Sequence, residues 1–300
     1  MNDEDKAIKK TIAPVGKKIK LEEYPTSWKR SEKFQLNGLR LSLQNSDTIM
    51  KRSLEQMKIL QEQLWAENSR SLLVIIQGMD AAGKDSIVEH VMSGVNPQGC
   101  EVTGFKPPSV KDLDHDFMWR YHTKMPERGR MGIFIRSYYE EILVVKVHPE
   151  RLHLQSLLKD KKDDTIWKQR IESINDIERH LVRNGTSILK FFLHESLKEQ
   201  KERLLARLND PNKQWKFDPN DLDERERWND YMKAYGEMME ATSTKEASWY
   251  ILPADQKWLA QTLFAKIINR KLESMDLQLP QLSEEVIKEL SDAKKRLMDE

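Results

Sequence analysis

The run Leu72-Leu73-Val74-Ile75-Ile76 is followed at once by Gly78-Met79-Asp80-Ala81-Ala82-Gly83-Lys84 and then by a helical stretch, Ser86–Val91. No other stretch limits the possible folds as much. Five apolar residues without alternation, rich in β-branched side chains, predict a strand buried on both faces, as in a parallel sheet. The next seven residues match G-x-x-x-x-G-K, the pattern of a loop that wraps a phosphate with backbone N–H groups. The spacing recurs by chance, and an ordinary strand-to-helix turn would also satisfy it. The strand before it and the helix after it give it meaning, because a helix N-terminus adds partial positive charge where the phosphate would lie. Gly78, Ala81, Ala82 and Gly83 are then the backbone cradle, and Lys84 reaches the transferring phosphates.

The loop departs from the usual pattern in two places. Asp85 stands where Ser or Thr normally holds Mg²⁺, and a second carboxylate, Asp80, lies inside the loop. Carboxylate oxygens suit Mg²⁺, so Asp80 is expected as the main protein ligand. Asp85 is either a second ligand or a first-turn acid favoured by the helix dipole. Further on, Gly132–Ile135 reads as a strand and runs into Arg136. A residue at the carboxyl end of a parallel strand faces the ligand crevice, so Arg136 is expected there; the other reading is an Arg on a solvated loop.

Other strands are expected at Glu101–Phe105, Ile188–Leu193 and Trp249–Leu252. Helices are expected over 46–67 (capped by Ser46 or Asp47), 165–184, 195–209, 221–241, 255–273 and 282–298. Strands alternating with helices predict an α/β fold with a mostly parallel sheet covered on both faces. Residues 1–45 read as a basic N-terminal arm, and 46–300 as the phosphate-binding domain. Within that domain 205–230, polar and broken by Pro211 and Pro219, is a candidate lid, and the charged helix from Ser283 reads as a solvated outer helix. Lys plus Arg number 50 and Asp plus Glu 49, a balance that argues against a wholesale nucleic-acid binder. One cysteine excludes a disulfide framework. No apolar run approaches membrane-spanning length and no secretory signal opens the chain, so a cytoplasmic protein is expected.

Taken together, GMDAAGKD, GVNPQG, FKPPS, RSYYEE and DPNKQWKF make the sequence resemble the family-2 polyphosphate kinases over about residues 45–275. The resemblance implies a P-loop, thymidylate-kinase-like three-layer αβα sandwich with a helical lid. It implies Mg²⁺-dependent phosphoryl transfer between inorganic polyphosphate and nucleotides. It places Asp80 on Mg²⁺, Lys84 on the phosphates and Arg136 at the transferred phosphoryl group. Lys106, Arg120, Arg203 and Lys213 would line a polyphosphate channel and lid. Asp85, GVNPQG and Glu140 look like class III of the family, whose members accept both mono- and diphosphates, so AMP, ADP and ATP are the expected nucleotides. Glu140 is either the residue that permits both acceptors or a first-turn helix acid. Where the family carries Asn or Asp this chain has Ile135, an apolar side chain that cannot ligate metal.

Phosphoryl transfer needs positioning and charge neutralisation, and an anionic phosphate acceptor needs no separate general base. Trp119, Tyr138 and Tyr139 are aromatic candidates for stacking on a base, although such residues are more often core. His115 is a further candidate phosphate contact. Three other readings compete. An ATP-dependent nucleotide kinase would not need the dispersed cations. A GTPase-like switch would need N-K-x-D, and Asn212-Lys213-Gln214-Trp215 fails to match. A non-catalytic module is opposed by Asp80, Lys84 and Arg136. The active form is expected to be a homo-oligomer, a dimer or tetramer.

Overall fold

The computed structural model describes residues 3–29, 33–157 and 165–299. Residues 1, 2, 30–32, 158–164 and 300, which the expected arm and domain ranges include, lie outside the described residues.

In chain order, helix α1 (Asp3–Lys9) and the short hairpin β1 (Gln35–Leu36) and β2 (Leu39–Arg40) precede the long helix α2 (Leu43–Glu67). Strand β3 (Ser71–Gly78) leads into α3 (Lys84–Val91), then β4 (Cys100–Gly104), α4 (Val110–Leu113), α5 (Trp119–His122) and β5 (Met131–Ile135). After a 3₁₀ turn over Tyr138–Ile142 come α6 (Val144–Val147), α7 (Thr165–Arg183) and β6 (Thr186–His194). The chain continues through α8 (Leu197–Asn209), α9 (Asn220–Glu226), α10 (Trp228–Thr242), β7 (Trp249–Pro253), α11 (Lys257–Ser274) and α12 (Glu284–Met298).

The five long strands form one sheet in the order β4-β5-β3-β6-β7, and all its pairings are parallel. The loop-bearing strand β3 is central. Leu72, Val74 and Ile76 point into one apolar layer, shared with Phe191 and with Leu263 and Phe264 of α11. Leu73 and Ile75 point into the other, with Phe134, Phe192, Ile174 of α7 and Met238 of α10. Burial on both faces is why the strand sequence does not alternate. From β3 the chain goes to one side of the sheet for β4 and β5 and to the other for β6 and β7. This topological switch point places the β3 loop where such sheets bind ligands.

Two expectations are corrected. The segment before α2 is not an extended arm. Ala13 N–H donates to Trp249 O at 2.9 Å and Ile251 N–H donates to Thr11 O at 2.7 Å, so residues 11–13 run along the free edge of β7. Trp28, Leu36 and Leu41 are buried. An uncovered edge strand would present unpaired N–H and C=O groups, and this segment covers them. The helical run over 221–241 is broken at Arg227 into α9 and α10. In addition, α2 starts four residues before Asp47, after Ser42. Among the described residues no helix is long and apolar enough to cross a membrane.

Candidate active site

The loop after β3 is tight for steric reasons. A Cβ on Gly78 would lie 3.1 Å from both Ala82 Cβ and Leu193 O, and Gly83 has φ of +100°. Ala81 also sits at positive φ, 68°, without being glycine. Such a backbone persists only when its surroundings hold it. Arg203, from α8, does so from behind. Its Nη1 donates to Ala81 O at 3.2 Å and Ala82 O at 3.0 Å, and its Nη2 to Ala254 O at 2.5 Å. Its Nε donates to Glu199 at 2.8 Å. Arg203 is buried, so the expectation that it lines a polyphosphate channel is corrected: its donors are spent on loop carbonyls, Ala254 O and Glu199.

In front of the loop the structure brings Asp80, Lys84, Arg136 and Glu140 together. Lys84 Nζ donates to Gly78 O at 2.7 Å and Met79 O at 2.9 Å, and lies 3.9 Å from Asp80 Oδ1. Arg136 is ion-paired with Asp80 and stands 3.4 Å from Glu140. Gln200 Nε2 donates to Asp80 O at 3.0 Å. Burial alone would raise the Asp80 carboxyl, but Lys84, Arg136 and Arg207 outweigh it and hold the group below the usual carboxylate range. Lys84 is pushed below the ordinary lysine value by burial and by Arg136, against the pull of Asp80, Glu140 and Glu195. Arg136, like Ala81, has positive φ, 64°. The two strained non-glycine residues of this region both adjoin Asp80, Ala81 next to it in the loop and Arg136 paired with it.

A cavity of about 530 Å³ opens beside these groups. Lys106, Arg120 and Arg151 line it together with Arg136 and Asp80. Arg120 Nη2 donates to Lys106 O at 2.6 Å, and its guanidinium lies 5.5 Å from the Phe105 ring. The side formed by the expected lid is acidic, not basic: Asp218, Asp221 and Glu224 face the cavity. Lys213 is exposed and paired with Asp210 at 2.7 Å, away from that lining. The lid is pinned through Glu224, which lies 2.7 Å from His148 Nε2 and accepts from Tyr231 Oη at 2.6 Å. Desolvation, with Asp80 nearby, raises the Asp221 carboxyl to about 6.

Two further expectations, for Tyr139 and Tyr138, are corrected. Tyr139 cannot stack on a base, since it is fully buried and its hydroxyl donates to Glu178 at 2.6 Å. Tyr138 is likewise core and donates to Glu178 at 2.8 Å. The Ile135 side chain packs into the layer of α2, α3 and α11, so this strand reaches the cavity through Arg136 instead. Asp85 stands exposed in the first turn of α3, the position the dipole favours for an acid. His115 stacks on Trp119 at 4.0 Å between ring centres. Glu140 is half-buried and holds the Arg136 guanidinium.

Reading the sequence missed Glu195. It directly follows β6 and is 2% exposed, with Oε2 at 3.3 Å from Arg203 Nη1 and Oε1 without a hydrogen-bond partner. Burial pushes its carboxyl up to about 8, against the opposing pull of Arg203 and Lys84. A raised carboxyl favours the protonated form in the fold. Its contribution to stability is therefore complete below the ordinary carboxylate pKa and is lost as pH rises through the raised value. Glu195→Gln is expected to flatten that decline. The parent's thermal midpoint should fall between about pH 5 and pH 8 more steeply than the variant's. A variant less stable than the parent at the alkaline end would mean the site requires the anion.

Comparisons with known proteins agree with this geometry. The family model described as Polyphosphate kinase 2 (PPK2) matches residues 41–280. A protein of Rhodopseudomonas palustris named ADP-polyphosphate phosphotransferase is 41% identical over 284 residues, covering 94% of this chain and 96% of its own. One of Meiothermus ruber named AMP/ADP-polyphosphate phosphotransferase is 41% identical over 233 residues, covering 78% of this chain and 82% of its own. The crystal structure of polyphosphate kinase 2 from Arthrobacter aurescens TC1 superposes with a TM-score of 0.82 at 32% identity, covering 95% of this chain and 99% of that one. With a phosphate-binding loop at the switch point of a parallel sheet, cations around one cavity and this likeness along nearly its whole length, the chain belongs to the polyphosphate kinase 2 family.

Proposed function

We propose that this cavity catalyses phosphoryl transfer between inorganic polyphosphate and nucleotides, converting AMP to ADP and ADP to ATP. The observation that carries the reading is the meeting of Arg136, Arg120, Arg151 and Lys106 around one cavity, beside a loop that holds Lys84. A substrate with about one negative charge per phosphate needs such a spread of cations more than a single deep pocket. Relatives bearing the names of ADP- and AMP/ADP-polyphosphate phosphotransferases support the same substrates here.

Mg²⁺ fits the residues present. Asp80 is held ionised and faces the cavity. Among the described residues no group of three or more acids, histidines or cysteines could cage a metal ion. That is the donor set Mg²⁺ commonly takes: one or two carboxylates, with the rest of its shell from phosphates and water. Asp80 would hold it, and the bound ion would neutralise charge on the phosphates. Lys84 and Arg136 orient the transferring group and stabilise charge in the transition state. The acceptor is an anionic phosphate oxygen, so no side chain has to remove a proton. Asp218 and Asp221 bring the lid's negative charge toward the same space, where it balances the cations.

The test is product analysis with polyphosphate and either AMP alone or ADP alone. ADP from the first and ATP from the second are expected. Use of one acceptor only would overturn the dual reading. Turnover with ATP but not polyphosphate as donor would overturn the proposed reaction.

A further inference from the structure

Helix α12 has an apolar face that nothing among the described residues covers. Val286, Leu290, Ala293 and Leu297 recur at spacings of four, three and four residues, the seam of a helix that packs against another helix. Ile287 flanks the seam, and Leu279 and Leu282 continue the apolar character toward the preceding segment. No residue of α12 is buried: Leu290 is 54% exposed and Leu297 is 71% exposed. A solvated helix is expected to be polar all round, whereas an apolar stripe this regular belongs against a partner.

Charge indicates which partner. The first half of the helix carries Glu284, Glu285 and Glu289 against Lys288, and its second half carries Lys294, Lys295 and Arg296 against Asp292, so the halves are net acidic and net basic. Two copies running antiparallel place the acidic half of each against the basic half of the other, twice over by two-fold symmetry, and oppose their helix dipoles favourably. A parallel pair would set like charges together at both ends. The family match ends at residue 280, and no residue of α12 lines the cavity.

We infer that α12 is a self-association helix that joins two copies of this chain, antiparallel, through the Val286–Leu297 seam. The occupant is a second copy of the protein. The seam spans only about two heptads, so the pair should be concentration-dependent.

The test measures the mass of the full-length protein in solution. Leu290→Glu puts a charge in the seam and is expected to halve the mass of the assembly, with circular dichroism and turnover unchanged. Lys294→Glu/Lys295→Glu/Arg296→Glu is expected to do the same. Mixing that variant with Glu284→Lys/Glu285→Lys/Glu289→Lys should restore association between the two. A monomeric parent, or an unchanged mass in Leu290→Glu, would overturn the proposal. Orientation is read by oxidising a Glu284→Cys variant beside the parent, which carries only Cys100. Little added cross-linking is expected for antiparallel helices, and efficient cross-linking at 284 would overturn that order.

Discussion

Lys84→Ala is expected to lower turnover with polyphosphate by about 10²-fold or more while leaving the sheet intact. The ammonium lies within hydrogen-bond reach of two carbonyls of its own loop, 2.7 Å from Gly78 O and 2.9 Å from Met79 O, and 3.9 Å from Asp80. It is therefore held at the mouth of the phosphate cradle by the backbone that would receive the phosphate. A buried cation there acts in a low dielectric, where its effect on developing charge exceeds that in water. Its loss also removes a donor from Gly78 O and one from Met79 O, which keeps the Ala82 N–H at 3.1 Å, and an unmet buried carbonyl costs about 1–3 kcal/mol. Part of this is offset because alanine is the better helix former at the first residue of α3. The measurements are steady-state turnover and thermal unfolding of the same preparation. Near-normal turnover in a folded variant would remove the phosphate-binding role from this loop.

The sheet was legible because its strands are buried on both faces. Ile75 and Val74 leave no polar face to confuse the pattern, and each strand expected from sequence lies within a few residues of the observed one. The front of the site was legible too, since Asp80, Lys84 and Arg136 sit at loop and strand ends whose geometry is local. What lies behind the loop was not. Arg203, with Glu195 against it, meets Ala81 and Ala82 across more than a hundred residues of chain, and nothing in the spacing announces which cation turns inward. Glu195 did carry a signal: a charge directly after the apolar run of β6, at the carboxyl end of a parallel strand, the same position that singled out Arg136. Residues 11–13 were missed because edge pairing depends on backbone groups, which every residue carries. The lid's acidic face was missed because Lys213 and Asp221 are close in sequence, and only the turn at Pro219 into α9 decides which of them faces the cavity.

Arg136→Ala is expected to cost at least about 10²-fold in turnover, and Arg136→Lys is expected to recover little of it. The guanidinium pairs with Asp80 on one side and approaches Glu140 at 3.4 Å on the other. A planar fork can keep both carboxylates while offering further donors to a phosphate, and a single ammonium cannot. The backbone is arranged for this residue at some expense. Arg136 sits at φ of 64°, held by its N–H donating to Ile76 O at 3.0 Å, and a non-glycine residue in that region is worth about 1–3 kcal/mol of strain. The variant also tests the electrostatics. Burial would raise the Asp80 carboxyl, and Lys84, Arg136 and Arg207 together hold it below its ordinary value. A depressed carboxyl contributes stability that is present above its ordinary pKa and is lost as pH falls through the lowered one. Without Arg136 the Asp80 carboxyl moves upward, so the acid limb of the stability profile should shift to higher pH. Thermal midpoints of parent and variant followed from neutral pH downward read that shift. An unchanged acid limb together with lost turnover would mean that Lys84 and Arg207 suffice to keep Asp80 ionised and that Arg136 serves the transition state only. Retained turnover would place the transferred phosphoryl group away from the end of β5.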